Sequence, residues 1–449
     1  MKPNNFVNCN RSIRPIFTNI CQEDHLLDYF QNSWEIYEWL FSSIQAEESF
    51  LMAPDPLRHP LIFYWGHTAA FYINKLVMAG LLKEGINPRF EVLFAKGVDP
   101  DRPENLETAL VWPDKTEVDD YRQQVYDTIC RIIKNTNIEL PIDQQHPLWA
   151  LLMGIEHDRI HFETSSVLIR QLPVELLQRP IGWDYAPTLG PPAANQIIQV
   201  EAGTVTIGKS TNSNIYGWDN EYGNLPQEVA PFEATQHLIS NAEYLDFFNA
   251  GAYNDHQYWT KEGWDWKTTV GQRQPKFWVT DGDHFQYRAM FDNIPLPLDW
   301  PVIVNAHEAL AYCRWKGNGW RLLTEAEFNL IGHQVLGEGD CIFSDDYNHN
   351  LLYGSATPVG YMQEYQKHAG FSDLFGNVWE WLQDDFRPLP GFETHPLYAD
   401  FSAPYFDTEH TMLAGGAWAT TGTAASKYYR LWFRRHFYQH AGFRLARNR

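Results

Sequence analysis

Two histidines four residues apart carry the first chemical signal in this chain. They lie in Trp149–Arg170, written WALLMGIEHDRIHFETSSVLIR, which has the pattern of a long helix. On a helix, His157 and His161 stack on one face with Cβ atoms about 5–6 Å apart, close enough to share one metal ion. Glu163 follows at a distance suited to supporting such a site. Two ligands do not complete it, and the best third donor is His67, midway along the apolar stretch YWGHTAAFY, where a solvated surface histidine is not expected. One histidine on an apolar helix is ordinarily a packed core residue. The pair, the nearby carboxylate and a third histidine on a separate helix together bring ligation level with that reading. Imidazole donors suit zinc, copper, iron or nickel better than hard cations.

Four helical patterns must position these residues: Asp24–Ile44, Pro60–Leu82, Glu117–Lys134 and Pro147–Gln171. Pro60 stands where a helix takes its first turn, and Pro147 and Pro173 bracket the fourth pattern. Such lengths with apolar stripes predict an antiparallel four-helix bundle, whose interior is where facing helices build metal sites. From Arg179 to Asn195 the chain reads RPIGWDYAPTLGPPAAN, aperiodic and rich in Pro and Gly, which predicts a linker. Beyond Ile197 the composition changes to short alternating strands such as VEAGTVTIG, frequent Gly and Trp, and brief helices near Asn241–Ala250, Asn305–Trp315 and Thr324–Gln334. Thr324 and Glu327 have capping-box spacing. The expected organisation is a bundle over residues 1–178, a linker over 179–196 and an α+β domain over 197–449.

Length and composition bound the function. With 449 residues, 44% of them apolar and 15% aromatic, the chain has material for two or three packed domains. Its 18 Trp and 27 Phe suggest irregular loops pinned by large rings. A formal charge of −22 without a basic cluster argues against a nucleic-acid partner. Cys9, Cys21, Cys130, Cys313 and Cys341 are scattered and include no CxxC pair, so neither a disulfide framework nor a zinc knuckle is expected, and a reducing cytoplasm fits. The N-terminus lacks a signal-peptide pattern. The apolar run Leu61–Leu82 is long enough to span a bilayer, but His67, Asn74 and Lys75 within it favour a buried bundle helix, so no membrane partner is expected.

Five segments of the second half resemble the formylglycine-generating-enzyme, or sulfatase-modifying-factor, family: PFEATQHLISNAEYLDFF (Pro231–Phe248), RLLTEAEF (Arg321–Phe328), GFSDLFGNVWEW (Gly370–Trp381), LAGGAW (Leu413–Trp418) and AGFR (Ala441–Arg444). The resemblance implies a C-type-lectin-like fold. Formylglycine-forming members use a cysteine pair after the GGSW-like segment, and Ala419–Tyr429 contains none, so that activity is not expected. The first half resembles a DinB-type bundle, and the two together are the architecture of the nonhaem iron sulfoxide synthases. HPLIFYWGHTAAFYINKL (His59–Leu76), HDRIHFETSSVLIRQLP, YGWDNEYG (Tyr216–Gly223) and FRRHFYQHAGFR (Phe433–Arg444) are most similar to the ovothiol-type, 5-histidylcysteine-forming branch. The ergothioneine branch usually has Gln where Ile160 stands here. Ala417 replaces the usual Ser of the GGSW-like segment.

This resemblance implies that His67, His157 and His161 bind Fe(II), that O2 is the co-substrate, and that cysteine sulfur is oxidised and joined to C5 of histidine. Such an enzyme gains its rate by holding the reactants together on one metal. The family's tyrosine donor is assigned to Tyr398, with Tyr405 as the alternative. Arg434, Arg435 and Arg122 are the candidates for substrate carboxylates, because a guanidinium can bond both oxygens. Asp119, where the ergothioneine branch often adds a basic residue, favours free cysteine. YGWDNEYG either lines a cleft between the domains or anchors a loop, with loop anchoring favoured, and GNVWEW is expected to define the fold. Full-length ovothiol enzymes usually continue into a methyltransferase domain, so later methylation is expected either of a separate methyltransferase or not at all. Rival readings are an ergothioneine-type synthase acting on trimethylhistidine, a thiol dioxygenase, and a lectin-like protein that binds without catalysis.

Overall fold

Helix punctuation written in the chain organises the first half of the computed structural model, which describes residues 11–97, 99–107, 110–362 and 370–449. Cys9 lies outside the described residues. The four long helices are α1 (Glu23–Phe41), α2 (Leu61–Met78), α4 (Lys115–Asn135) and α5 (Trp149–Ile169), with a short α3 (Pro88–Leu93) between the second and third. Helix α2 begins directly after Pro60, and Asp114 caps α4 by accepting from the Glu117 amide. The α2 pattern runs to Leu82 in the sequence, but the helix stops at Met78 because Gly80 takes a left-handed φ of 75°. Helix α2 packs along both α5 and α4, and α1 packs along α5. Nearly every residue of α5 is buried, so this helix is the axis of the bundle.

The chain divides into two compact units. One comprises 1–183 with the short segments 214–216 and 290–292, and the other holds the remainder of 184–449. The Pro- and Gly-rich stretch between helix α5 and the first strand carries no strand or α-helix, yet it is not loose. Trp183 is buried in the first unit against Trp39 and Phe291 at ring distances of 4.6 and 4.9 Å. Past it, the Ala186 amide donates to Ser355 Oγ at 2.9 Å in the second unit.

The second unit is α+β with four small sheets. Strand β4 (Phe232–Thr235) lies between β1 (Ile197–Val200) and β12 (Ala446–Asn448), both antiparallel to it, so the unit's first and last strands share one sheet. Strands β2 (Gly203–Ile207) and β3 (Leu225–Val229) pair antiparallel, and β5 (Trp278–Asp281), β6 (His284–Arg288) and β7 (Asn293–Pro295) form a meander. The fourth sheet runs β10 (Leu431–Arg434), β9 (His410–Ala414), β8 (Trp379–Asp385), β11 (Ala441–Gly442). Helices α6 (Asn241–Asn249), α8 (Ala306–Lys316) and α9 (Glu325–Leu336) each open with a capping box, including the expected Thr324–Glu327 pair. Helix α7 (Lys261–Val270) has no counterpart in the sequence reading, although Thr260 caps it and the left-handed Gly271 ends it.

The GNVWEW and YGWDNEYG motifs are both tied into their surroundings by buried hydrogen bonds and ion pairs. In GNVWEW, Asn377 accepts from the Thr357 amide at 2.9 Å and Trp381 Nε1 donates to the Val304 carbonyl at 2.9 Å. Glu380 pairs with Arg444 at 2.9 Å, their side chains 1% and 0% exposed. Arg444 also donates to the carbonyls of Thr235 and Ser372. In the YGWDNEYG segment, Glu221 forms a buried pair with Lys209 at 3.3 Å, and Asn220 exchanges hydrogen bonds with the Arg430 main chain and guanidinium. Removing one partner of a fully buried pair strands the other charge. Arg444→Met is therefore expected to destabilise the second unit by about 3–5 kcal/mol, read from its denaturant unfolding midpoint, whereas Arg444→Met/Glu380→Met should recover part of that loss.

Candidate metal centre

His67 stands in the middle of α2, and His157 and His161 project from one face of α5. The three rings converge. Their centroids are 4.9 Å apart for His67 and His157, 4.5 Å for His67 and His161, and 4.4 Å for His157 and His161. One nitrogen from each falls within 4.8 Å of the others, and this is the cluster of three potential metal ligands found among the described residues. His67 and His157 are buried and His161 is partly so. The walls follow from helical spacing on α2. Phe63, one turn before His67, stacks on it at 4.9 Å, and Phe71, one turn after, stacks on His157 at 3.5 Å.

Burial disfavours the charged imidazolium, so desolvation pushes His67 down to about 4 and holds His157 and His161 well below the ordinary histidine range. Each ring therefore presents a lone pair at neutral pH, which is the form that binds metal. The Nδ1 of His67 is 2.5 Å from the Phe94 carbonyl oxygen. A carbonyl only accepts, so this nitrogen carries the proton and Nε2 is the bare donor. The donor set fits an imidazole-preferring divalent ion. Glu163 is buried on α5 two residues past His161. Residues two apart on a helix face different ways, so the spacing along α5 does not set Glu163 beside His161.

Arg122 is enclosed within the bundle. Its guanidinium is 2% exposed and is boxed by Trp65 at 3.8 Å, Trp34 at 4.2 Å and Tyr37 at 5.5 Å. It donates to the Trp65 carbonyl at 2.9 Å and lies 3.8 Å from Glu38. The sequence shows an arginine in a charged helix, but not that this position of α4 faces three aromatic rings of α1 and α2. Asp119 is likewise engaged, accepting from Trp65 Nε1 at 2.8 Å and from Lys115 at 2.6 Å.

A model of the sulfatase-modifying factor enzyme 1-like domain matches residues 188–449, more than half of the chain. The chain belongs to this family. A DinB superfamily model matches residues 29–165, the stretch that contains all three histidines. Ergothioneine biosynthesis protein 1 of Schizosaccharomyces pombe is 26% identical over 448 residues, covering 91% of this chain and 53% of that protein. Hercynine oxygenase of Mycolicibacterium thermoresistibile is 26% identical over 432 residues, 87% of this chain and 88% of that one. Hercynine oxygenase of Mycobacterium tuberculosis is 31% identical over 244 residues, 51% and 55% respectively. The chain spans just over half the length of the fungal relatives it matches, 53% and 57%.

Within the sulfatase-modifying-factor domain, Tyr398 is half-buried against Trp218 and Phe401, and its phenol is pushed above the usual tyrosine range by burial. Tyr405, the alternative, packs on Trp432 and His410. Arg434, on β10, pairs with Glu409, whose side chain is 61% exposed. Arg435 is held more firmly, donating to Asp385 at 2.6 Å and to the Thr408 carbonyl at 2.9 Å. Both charges are thus met by groups of their own domain. No described helix is long and apolar enough to cross a membrane.

The Arg122 box generates a stability prediction. Losing a desolvated cation–π contact together with a charged hydrogen bond, Arg122→Ala is expected to destabilise the bundle by about 2–4 kcal/mol, measured by circular dichroism in denaturant. A variant as stable as wild type would mean that the aromatic box contributes nothing.

Proposed function

We propose that the chain is an oxygen-dependent nonhaem iron sulfoxide synthase, joining a thiol sulfur to the imidazole of a histidine derivative. The observation that carries this is the cluster of three neutral imidazoles from two facing helices, with nitrogens within 4.8 Å, in a chain similar to a hercynine oxygenase over 87% of its length. His67, His157 and His161 would hold the ion. When bound, ferrous iron would supply the redox chemistry that activates O2 for sulfur oxidation and C–S bond formation. The protein's part is to bind, orient and protonate. Phe63 and Phe71 exclude water from two sides of the imidazoles. We assign Tyr398 as the proton donor that separates sulfoxide formation from simple thiol oxidation. Its raised phenol stays protonated at neutral pH and enters as an O–H. Arg434 is the better placed of the two arginines to meet a substrate carboxylate, because exchange with the exposed Glu409 is less costly than breaking the bonds of Arg435 to Asp385 and Thr408.

Two acceptors compete, and each has an observation behind it. The names of the relatives support trimethylhistidine, hercynine, as in ergothioneine synthesis. Ile160, beside His161, stands where that branch usually has Gln, and supports histidine itself, as in ovothiol synthesis. The comparisons weigh more heavily than one side chain.

The test is to load the anaerobic protein with Fe(II), supply cysteine and O2 with either histidine or trimethylhistidine, and identify products by mass spectrometry and NMR. A sulfoxide with a new C–S bond is expected from one acceptor. Cysteine sulfinate alone, or no turnover with either acceptor, defeats the proposal. His157→Ala is expected to abolish iron loading, measured by metal analysis after desalting. Tyr398→Phe should keep its iron and shift product towards sulfinate, and an unchanged product ratio would remove Tyr398 from the mechanism.

A further inference from the structure

The hydrogen bond that selects the bare nitrogen of His67 comes from outside the bundle's long helices. Phe94 follows α3, a helix of one and a half turns that the sequence reading does not contain. This short element is tied down along its length. Asn87 caps it and Pro88 occupies its first turn. Glu91 accepts from the Ile86 and Asn87 amides at 2.7 and 2.9 Å, closing the preceding loop. Asn74 of α2 donates to the Glu91 carbonyl at 2.9 Å, which binds α3 to the helix that bears His67. The Phe94 amide then bonds the Phe90 carbonyl at 2.8 Å. The Phe94 carbonyl is left pointing at His67 Nδ1, 2.5 Å away.

The side chain of Phe94 reaches this place across Gly66, the residue before His67. A Cβ built on Gly66 would lie 2.5 Å from Cε2 and Cζ of the Phe94 ring and 2.7 Å from Cδ2. Those separations are well inside van der Waals contact. The ring has little room to yield, since Phe94 is fully buried and packs on Phe90, Phe63 and Trp112. A methyl group at 66 must therefore lift Phe94, and its carbonyl moves with it.

Resting on the metal-site reading above, we propose that Gly66 and the Phe94 carbonyl are positioning residues of the centre: the glycine admits Phe94 close to α2, and the carbonyl fixes the His67 tautomer and ring angle so that Nε2 faces the ion. Outer partners of this kind orient a ligating imidazole and raise its basicity. Helix propensity opposes any simple structural account, because alanine is the better helix former. Any loss in a Gly66→Ala chain thus comes from the displaced Phe94 and not from a weaker helix.

The test is cobalt(II) titration of the whole apo chain, followed by visible absorption, for wild type, Gly66→Ala, Phe94→Leu and the double variant. The His67 ring nitrogens of the apo protein are read in parallel by long-range nitrogen–proton NMR, assigned by their loss in His67→Gln. Wild-type His67 is expected as the Nδ1–H tautomer. Gly66→Ala is expected to weaken cobalt binding about 10-fold or more, Phe94→Leu by less than about threefold, and the double variant to return within about threefold of wild type, since leucine vacates the space the new methyl needs. An Nε2–H tautomer in the wild type overturns the inference, as does Gly66→Ala binding equal to wild type or a double variant as weak as Gly66→Ala. Should Gly66→Ala not fold, the wild-type tautomer and the double variant decide. Wild type that takes up no cobalt would instead defeat the metal reading itself, so the two failures are distinguishable.

Discussion

The centre depends on α5 being unable to turn about its own axis. Because nearly all of its residues are buried, apolar burial alone does not choose which face meets α2. Polar keys make that choice. On α1, Tyr29, Ser33 and Tyr37 repeat at four-residue spacing, and each engages α5: Tyr29 donates to Glu156 at 2.6 Å, Ser33 to Asp158 at 3.0 Å, and Tyr37 lies 3.2 Å from Ser165. Arg159 is drawn to the same side, its guanidinium 4.1 Å from the Tyr29 ring centre and bonded to the Tyr29 carbonyl. A slip of one residue rotates a helix by about 100° and would leave each of these groups buried without its partner. The stripe on α1 therefore aims the histidines by fixing the rotation of the helix that bears them.

The second unit is held by a different logic. It has little regular structure to share out the main-chain hydrogen bonds, so buried charges take them instead. Arg444 satisfies two carbonyls while pairing Glu380, and Arg430 pairs Glu325 while bonding the Asn220 carbonyl. Each arginine thereby pins loops that no ladder reaches. Such pairs are costly to desolvate, and they persist because their hydrogen bonds are complete. The segment Asp219–Glu221 illustrates the result: it is acidic and looks like a surface motif, yet all three residues are buried and Glu221 is matched to Lys209.

What could be anticipated from residues alone follows the range of each signal. The pair at 157 and 161 and the helices around them are local patterns, and they survive because helical spacing dictates which side chains share a face. The third histidine was reachable because an ionisable group in an apolar helix demands an explanation. The surroundings of Arg122 are not legible in the sequence, since they depend on Trp34, Tyr37 and Trp65 from two other helices, and that packing leaves no trace near residue 122. Helix α3 was missed because six residues are too few to show a period, although Asn87 and Pro88 are its start signal. Helix α7 has Thr260 and Gly271 at its ends, but Trp264 and Trp266 stand two apart and Val270 is exposed, so its ten residues show no apolar stripe. The charges of Arg434 and Arg435 read as available, and only the fold brings Glu409 and Asp385 to them.

The choice of three imidazoles also bears on which further ligand an ion held by them would favour. A carboxylate in this place would face the same apolar walls, and without metal it would have to take up a proton or find a cation. Imidazoles avoid that cost by remaining neutral, so the bundle tolerates the three rings behind Phe63 and Phe71. With a divalent ion in place, three neutral donors leave its whole charge to be balanced by whatever binds next. In a water-poor site that favours an anionic ligand over a neutral one, because Coulomb attraction is less screened there. A thiolate meets that requirement and a thiol does not, so on the proposed reading a neutral donor set would favour sulfur in its reactive form.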